Sequence, residues 1–248
     1  MLPLKDDNPT RRFPVLTVGL IAVNTIVFIT QWVRPDDGNI NDSQQAFACR
    51  WGLVPDVLFH SHDTGQQALC TQLNAEHDRF ITLFTSQFLH GSWLHLLGNM
   101  LFLWVFGNNI EDRLGRVRFL PFYLACGAVA GFAQALMDQG GDTPVIGASG
   151  AIAGVLGAYI VLFPHARVWT LITFIPLKIP AWMVLGLWFL FQFLYAGGQS
   201  EGGGGVAYVA HVGGFVAGAL LIRPCLAGRP PPPPPATATG PAPWQVTR

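Results

Sequence analysis

The sequence predicts an all-α polytopic membrane protein, a bundle of six transmembrane helices, and three observations carry that expectation. Hydrophobic residues make up 51% of the 248 residues and charged ones only 11%, less than half the roughly 25% typical of a soluble domain. Six segments approach the run of about 20 mostly apolar residues that a spanning helix needs. The basic residues sort to one side of those segments. Net charge is zero, so there is no basic face to hold a nucleic acid, and no such partner is expected.

The elements follow in order. Residues 1–13 form a short polar lead. The first apolar segment, Pro14–Val33, follows Lys5, Arg11 and Arg12 and so resembles a signal peptide. It is long enough to span, no small-x-small cleavage site follows it, and it reads as a retained anchor. A long loop covers 34–91, with Trp51, Leu53, Val54, Val57, Leu58 and Phe59 as apolar surface. The next spans are Trp93–Ile110, Phe119–Met137 and Ala148–Phe163. Trp169–Leu177 is apolar but too short to span, and with Pro176 and Pro180 closing it off it reads as an interfacial loop. Ala181–Ala196 and Val206–Ile222 complete the six, so the membrane unit runs from 14 to 222. The tail, 223–248, contains the run Pro230–Pro235 and is expected to be polyproline-like or disordered.

Orientation follows from Lys and Arg. Lys5, Arg11, Arg12, Arg113, Arg116, Arg118, Arg167, Lys178, Arg223, Arg229 and Arg248 fall on one side. Arg34, Arg50 and Arg79 fall on the other, all in the long loop. Both termini are therefore expected in the cytoplasm, with a bacterial inner membrane as the expected location. Cys49 and Cys70 share the outer loop, where oxidation is permitted. A disulfide between them is a possibility that sequence alone leaves open. Cys126 and Cys225 read as ordinary thiols.

Strongly polar residues inside spans are costly and tend to mark function. Four are singled out: His95 and Asn99 in the second span, Ser149 at the head of the fourth and His211 in the sixth. All three spans enter from the outer side, so the four groups are expected in the outer third of the bilayer. His95 and Asn99 lie one helical turn apart on one face. Gly150/Gly154 and Gly214/Gly218 have the Gly-xxx-Gly spacing that lets membrane helices approach closely. Ser149 and His211 are thereby expected within hydrogen-bond reach, as a nucleophile and its general base. Attack on an amide carbonyl builds an oxyanion that needs donors fixed in advance. The Ser149 backbone N–H at a helix head, His95 and Asn99 are the candidates. No acidic residue is expected at this depth, so the pattern fits a dyad.

These residues bear a resemblance to the rhomboid proteases from about residue 14 to 222. Gly147-Ala148-Ser149-Gly150 resembles that family's nucleophile motif and Ala210-His211-Val212-Gly213-Gly214 its base motif. His95-Leu96-Leu97-Gly98-Asn99 is similar to its oxyanion motif, and Gly107, Glu111 and Gly115 fit its Gly-xxx-Glu-xxx-Gly pattern. The resemblance implies hydrolysis of peptide bonds in or beside the transmembrane helices of membrane-protein substrates in the lipid bilayer, with no cofactor. Gly147 and Gly150 support the site, Gly150 by keeping the helix head clear of substrate. Gating is expected from the fifth helix and the loop around Gly202–Gly205. Two positions depart from the family. Ile81 and Thr82 stand where it often has Trp-Arg, and Ala153 where many relatives carry an aromatic stacked on the base. His211 is left to be positioned by other contacts or by none.

Taken singly, each residue has a plainer use. Ser149 could cap a helix, His211 could be a structural or proton-relay histidine, and His95 and Asn99 could be interhelical glue. His90 reads as a hydrogen bonder that fixes the loop. His60, His62 and His77 lack a clear further set of ligands, so no metal is expected. A non-catalytic client binder of the same fold and a small transporter are the rival readings.

Overall fold

Apolar runs of helix-forming residues set the frame, and each of the six is helical in the computed structural model, which describes residues 2–34, 43–60, 69–75, 78–196 and 207–229. A strand, β1 (Leu2–Asp6), precedes α1 (Val15–Trp32). The long loop carries α2 (Gln44–Trp51), α3 (Pro55–Phe59), α4 (Leu69–Asn74) and α5 (Thr82–Thr85). The second apolar run comprises α6 (Trp93–Phe102), a π-helical stretch over Leu103–Gly107 and α7 (Asn108–Leu114). Then come α8 (Arg116–Met137), α9 (Ser149–Leu162), β2 (Arg167–Ile172), β3 (Ile175–Pro180), α10 (Ala181–Ala196) and α11 (Tyr208–Leu226).

Three helices, α1, α8 and α11, are long and apolar enough to cross a membrane, and α9 and α10 are shorter apolar helices. Ile26, Leu97, Phe193 and Leu220 all stand exposed on outer faces. Apolar surface spread over so many helices is lipid-facing surface, since soluble monomers rarely tolerate it.

The core is built around α9, where every residue from Gly150 to Tyr159 is buried. A helix apolar all round has to be enclosed, and α8 and α11 enclose it. Closeness comes from glycine: a Cβ on Gly218 would collide with the Gly154 carbonyl, and one on Gly214 with that of Gly150. The two backbones therefore touch with no side chain between them.

The opposite end from Ser149 is anchored by a carboxylate. Glu111, buried in α7, accepts from the backbone N–H of Leu16 at 3.0 Å and of Thr17 at 2.8 Å, and from Thr17 Oγ1 at 2.8 Å. The two backbone N–H groups are orphan donors of the first turn of α1, and a negative group there also suits the helix dipole. Gly115, at φ +69°, then turns the chain from α7 into α8.

The structure adds an element that the sequence reading lacked. The bundle is all-α, but β1, β2 and β3 form a three-stranded antiparallel sheet in that order. Val168, Thr170, Ile172, Ile175 and Ile179 are β-branched residues, suited to a pleated ladder. Trp169–Leu177, expected as the interfacial part of a connecting loop, is thus most of a hairpin. The lead is no mere lead either: Leu2 pairs with Leu171 and Asp6 with Val168. Asp6 Oδ2 also accepts from Tyr159 Oη at 2.5 Å and from Asn109 Nδ2 at 2.8 Å. Burial raises the Asp6 carboxyl to about 6 against these hydrogen bonds, with nearby Asp7 adding to the rise. At the other end of the chain, α11 runs past Ile222 to Leu226. Pro230–Pro235 and Gly202–Gly205 lie outside the described residues.

In the long loop, Cys49 and Cys70 form a disulfide that ties α2 to α4. Asn74 Nδ2 donates to the carbonyls of Cys49 and Gly52, each at 2.8 Å. Leu53 forms a β-bridge with Val145, so this loop is joined by backbone to the segment that leads into α9. His60 Nδ1 pairs with Asp56 at 2.9 Å. His62 and His77 lie outside the described residues.

Candidate functional site

Ser149 is the first residue of α9, and Ala148, not Ser149, occupies the cap position. The capping use of this serine is thereby removed. Its hydroxyl meets the sixth apolar run instead: Ser149 Oγ and His211 Nε2 are 2.8 Å apart. The glycine contacts between α9 and α11 make that distance possible, because a pair of ordinary side chains would hold the helices some ångströms further apart.

Gly147 shapes the approach. Its φ is +128°, a conformation that residues with a Cβ rarely adopt. Space forbids a side chain too: a Cβ there would lie 2.8 Å from His95 Nε2 and 3.6 Å from Ser149 Oγ. The His95 ring and the Ser149 hydroxyl therefore converge on the same glycine. The Gly147 N–H donates to the Ser86 carbonyl at 2.9 Å, which pins the turn. Space freed at Gly150 is taken by α8, since a Cβ there would sit 2.6 Å from Ala130 Cβ. A narrow cleft runs beside Ser149, lined among others by Ser86, Gln87, Ile146, Gly147 and Ala207.

Ser92 precedes α6 and caps it, its side chain accepting from the His95 N–H at 3.1 Å. His95 and Asn99 project from its first two turns, but Asn99 is already engaged. Its Nδ2 lies 3.0 Å from His90 Nε2, which leaves one amide hydrogen for anything else. His90 is fully buried in the loop before α6, and its ring packs edge-on to His95 with centroids 5.0 Å apart. Burial, helped by the neighbouring His95, lowers the His90 pKa to about 3. A neutral ring can accept the Asn99 hydrogen at Nε2.

Two residues that the sequence reading passed over stand against His211, both on α10. Gln192 Oε1 is 2.7 Å from His211 Nδ1. The Trp188 ring lies beside the imidazole, centroids 5.7 Å apart and 36° between planes, and also packs on Phe215. Ala153, where an aromatic partner for the base was missing, is itself buried. Gln192 could have been found: it is the one amide in the otherwise apolar run of α10, and polar groups in such runs mark function.

The arrangement pairs a hydroxyl with an imidazole nitrogen, beside a second imidazole and a helix N-terminus. Such a set can activate the hydroxyl by proton removal and stabilise charge on an oxygen held against Gly147.

Comparison with known proteins gives the same family as the motifs. A family model described as "Rhomboid domain" matches residues 77–227. The chain is 36% identical over 146 residues to "Rhomboid protein 1, mitochondrial" of Saccharomyces cerevisiae, covering 56% of this chain and 40% of that protein. It is 35% identical over 166 residues to "Presenilin-associated rhomboid-like protein, mitochondrial" of Homo sapiens, covering 64% and 35%. "RHOMBOID-like protein 5" of Arabidopsis thaliana is 36% identical over 93 residues, covering 38% and 30%. The match spans two fifths or less of the length of each of these relatives. The first two are named as mitochondrial, which is at odds with the expectation of a bacterial inner membrane for this chain.

Proposed function

The chain belongs to the rhomboid family, and from that premise we propose that it is an intramembrane serine endopeptidase acting on transmembrane protein substrates through a Ser149–His211 dyad. The observation that carries the reading is the 2.8 Å approach of Ser149 Oγ to His211 Nε2. In the proposed reaction the Ser149 oxygen attacks the scissile carbonyl while its proton passes to His211 Nε2. The resulting oxyanion is stabilised by the Ser149 backbone N–H, His95 and the free amide hydrogen of Asn99. His211 then gives its proton to the leaving amine, and water hydrolyses the acyl-enzyme by the same exchange in reverse order.

The site lies at one end of the bundle, remote from the Glu111 end, and we read it as opening to the non-cytoplasmic side because the basic residues favour the other. The membrane in which this happens is left to experiment, since the mitochondrial names belong to the relatives.

The test needs no known substrate. Purified protein in mild detergent is treated with a fluorophosphonate probe, which forms a stable bond only with an activated serine. Wild type should label, and Ser149→Ala and His211→Ala should not. Equal labelling of Ser149→Ala would remove Ser149 as the nucleophile. A folded wild type that stays unlabelled would favour a member of the fold that binds membrane clients without cutting them.

A further inference from the structure

We propose that Gln192 is a positioning residue for His211, fixing the imidazole tautomer from α10; this rests on the reading of Ser149 and His211 as nucleophile and base. A neutral imidazole carries one N–H. The Gln192 Oε1 at 2.7 Å from Nδ1 can only accept, so that hydrogen belongs on Nδ1. Nε2 is then left with its lone pair toward Ser149 Oγ at 2.8 Å. This is the tautomer that proton removal from Ser149 requires, and the opposite one would present a donor to the hydroxyl.

Among the described residues, no other side chain hydrogen-bonds His211 Nδ1. Ala153 offers no ring to hold the imidazole, whereas Trp188, one turn before Gln192 on the same face of α10, lies against it. Trp188 and Phe189 both pack on Phe215 of α11, so the aromatic contacts that seat α10 also place the amide. An amide fits this position better than a carboxylate. It accepts the same hydrogen bond without burying a negative charge in an apolar helix, where charge is costly. As positive charge develops on His211 during attack, the Nδ1–H bond to Gln192 becomes charge-assisted and strengthens.

The experiment measures the second-order rate of fluorophosphonate labelling of the whole protein in mild detergent from pH 5 to 9. It compares wild type, Gln192→Leu, Gln192→Glu and the Ser149→Ala blank, each normalised to folded protein by its helical circular dichroism. Outer partners that orient metal-bound histidines contribute about 10- to 100-fold, and on the same orienting logic Gln192→Leu should slow labelling by about 10-fold or more. Gln192→Glu, whose carboxylate when ionised can only accept, should recover the rate above that of Gln192→Leu at the upper end of this range, where the carboxyl gives up its proton. It should also move the midpoint of the pH–rate profile upward, because the carboxylate favours the charged ring. A purely structural role for Gln192 would change the folded fraction and leave the normalised rate of Gln192→Leu at the wild-type value.

Wild-type rate and midpoint in Gln192→Leu would overturn the proposal. So would a Gln192→Glu variant no faster than Gln192→Leu, and, if the leucine variant folds poorly, a folded Gln192→Glu variant about 10-fold or more slower than wild type across the pH range. An unlabelled wild type, or labelling equal to the Ser149→Ala blank, would refute the protease reading itself and this inference with it. A labelled wild type with an indifferent Gln192 refutes only the inference.

Discussion

Asn99 and His90 are hydrogen-bonded, Nδ2 to Nε2 at 3.0 Å, and so α6 is tied to the loop that precedes it. The bond demands a neutral His90, and burial keeps it so by lowering its pKa to about 3. The unfolded chain, with an ordinary histidine near 6.5, takes up a proton at a pH where the folded chain refuses it. The stability from this group is therefore complete above about pH 6.5 and is lost as pH falls toward 3. Denaturant titration in detergent should show a loss of the order of 2 kcal/mol between pH 6.5 and 5. His90→Gln, which cannot titrate, should flatten that slope. An unchanged slope would mean that His90 is not the group responsible.

Asp6 has the opposite sign. Burial raises its carboxyl to about 6, above the ordinary 3.8, so the folded chain holds a proton that the unfolded chain releases. Its contribution is full below about pH 4 and is lost as pH rises through 6. Amide hydrogen exchange in β1 and β2 should accelerate between pH 5 and 8 by more than the intrinsic rate does. Asp6→Asn should abolish the excess, and equal excess in that variant would clear Asp6.

Glu111 gathers three donors from the start of α1. Glu111→Ala leaves buried N–H and O–H groups without an acceptor, at about 1–3 kcal/mol for each group left unsatisfied. Thermal unfolding in detergent should show a total loss of roughly 3 kcal/mol or more, and Glu111→Gln should lose less because one oxygen remains. A Glu111→Ala protein as stable as wild type would show that α1 is held by its apolar contacts alone.

Gly218→Ala tests the contact of α9 with α11. The added methyl would strike the Gly154 carbonyl, which is backbone and cannot rotate away. The helices must separate, which overpacking data put at about 1–3 kcal/mol. Fluorophosphonate labelling should fall more steeply than stability, since the Ser149–His211 distance opens with the helices. Labelling at the wild-type rate would mean that the site tolerates the separation.

Much of this was legible beforehand because it depends on local pattern. Apolar runs gave the helices, and the glycine spacing in α9 and α11 gave the meeting of Ser149 with His211. The sheet was illegible because its pairing is non-local: nothing in Leu2–Asp6 announces a partner at Arg167–Ile172. Asn99 was read as a free donor because its claimant, His90, lies before the helix and is brought in by the turn at Ser92. Gln192 stood in plain view as the one amide of α10, but its partner did not, because His211 lies on the next helix. Averaging concealed the π-helical stretch at Leu103–Gly107, which costs no hydrophobicity and leaves no compositional trace.

The bare contact between α9 and α11 also limits how this protein can vary. Where two helices meet through side chains, trimming or adding a methyl adjusts their spacing by small steps. Here the spacing is at its floor, and every available substitution can only enlarge it. Variation is thereby displaced from the partnership of Ser149 and His211 onto faces that meet no backbone, such as the outer face of α10, where Phe191, Phe193 and Leu194 stand exposed. Such faces can change freely while the distance between the two helices stays as it was.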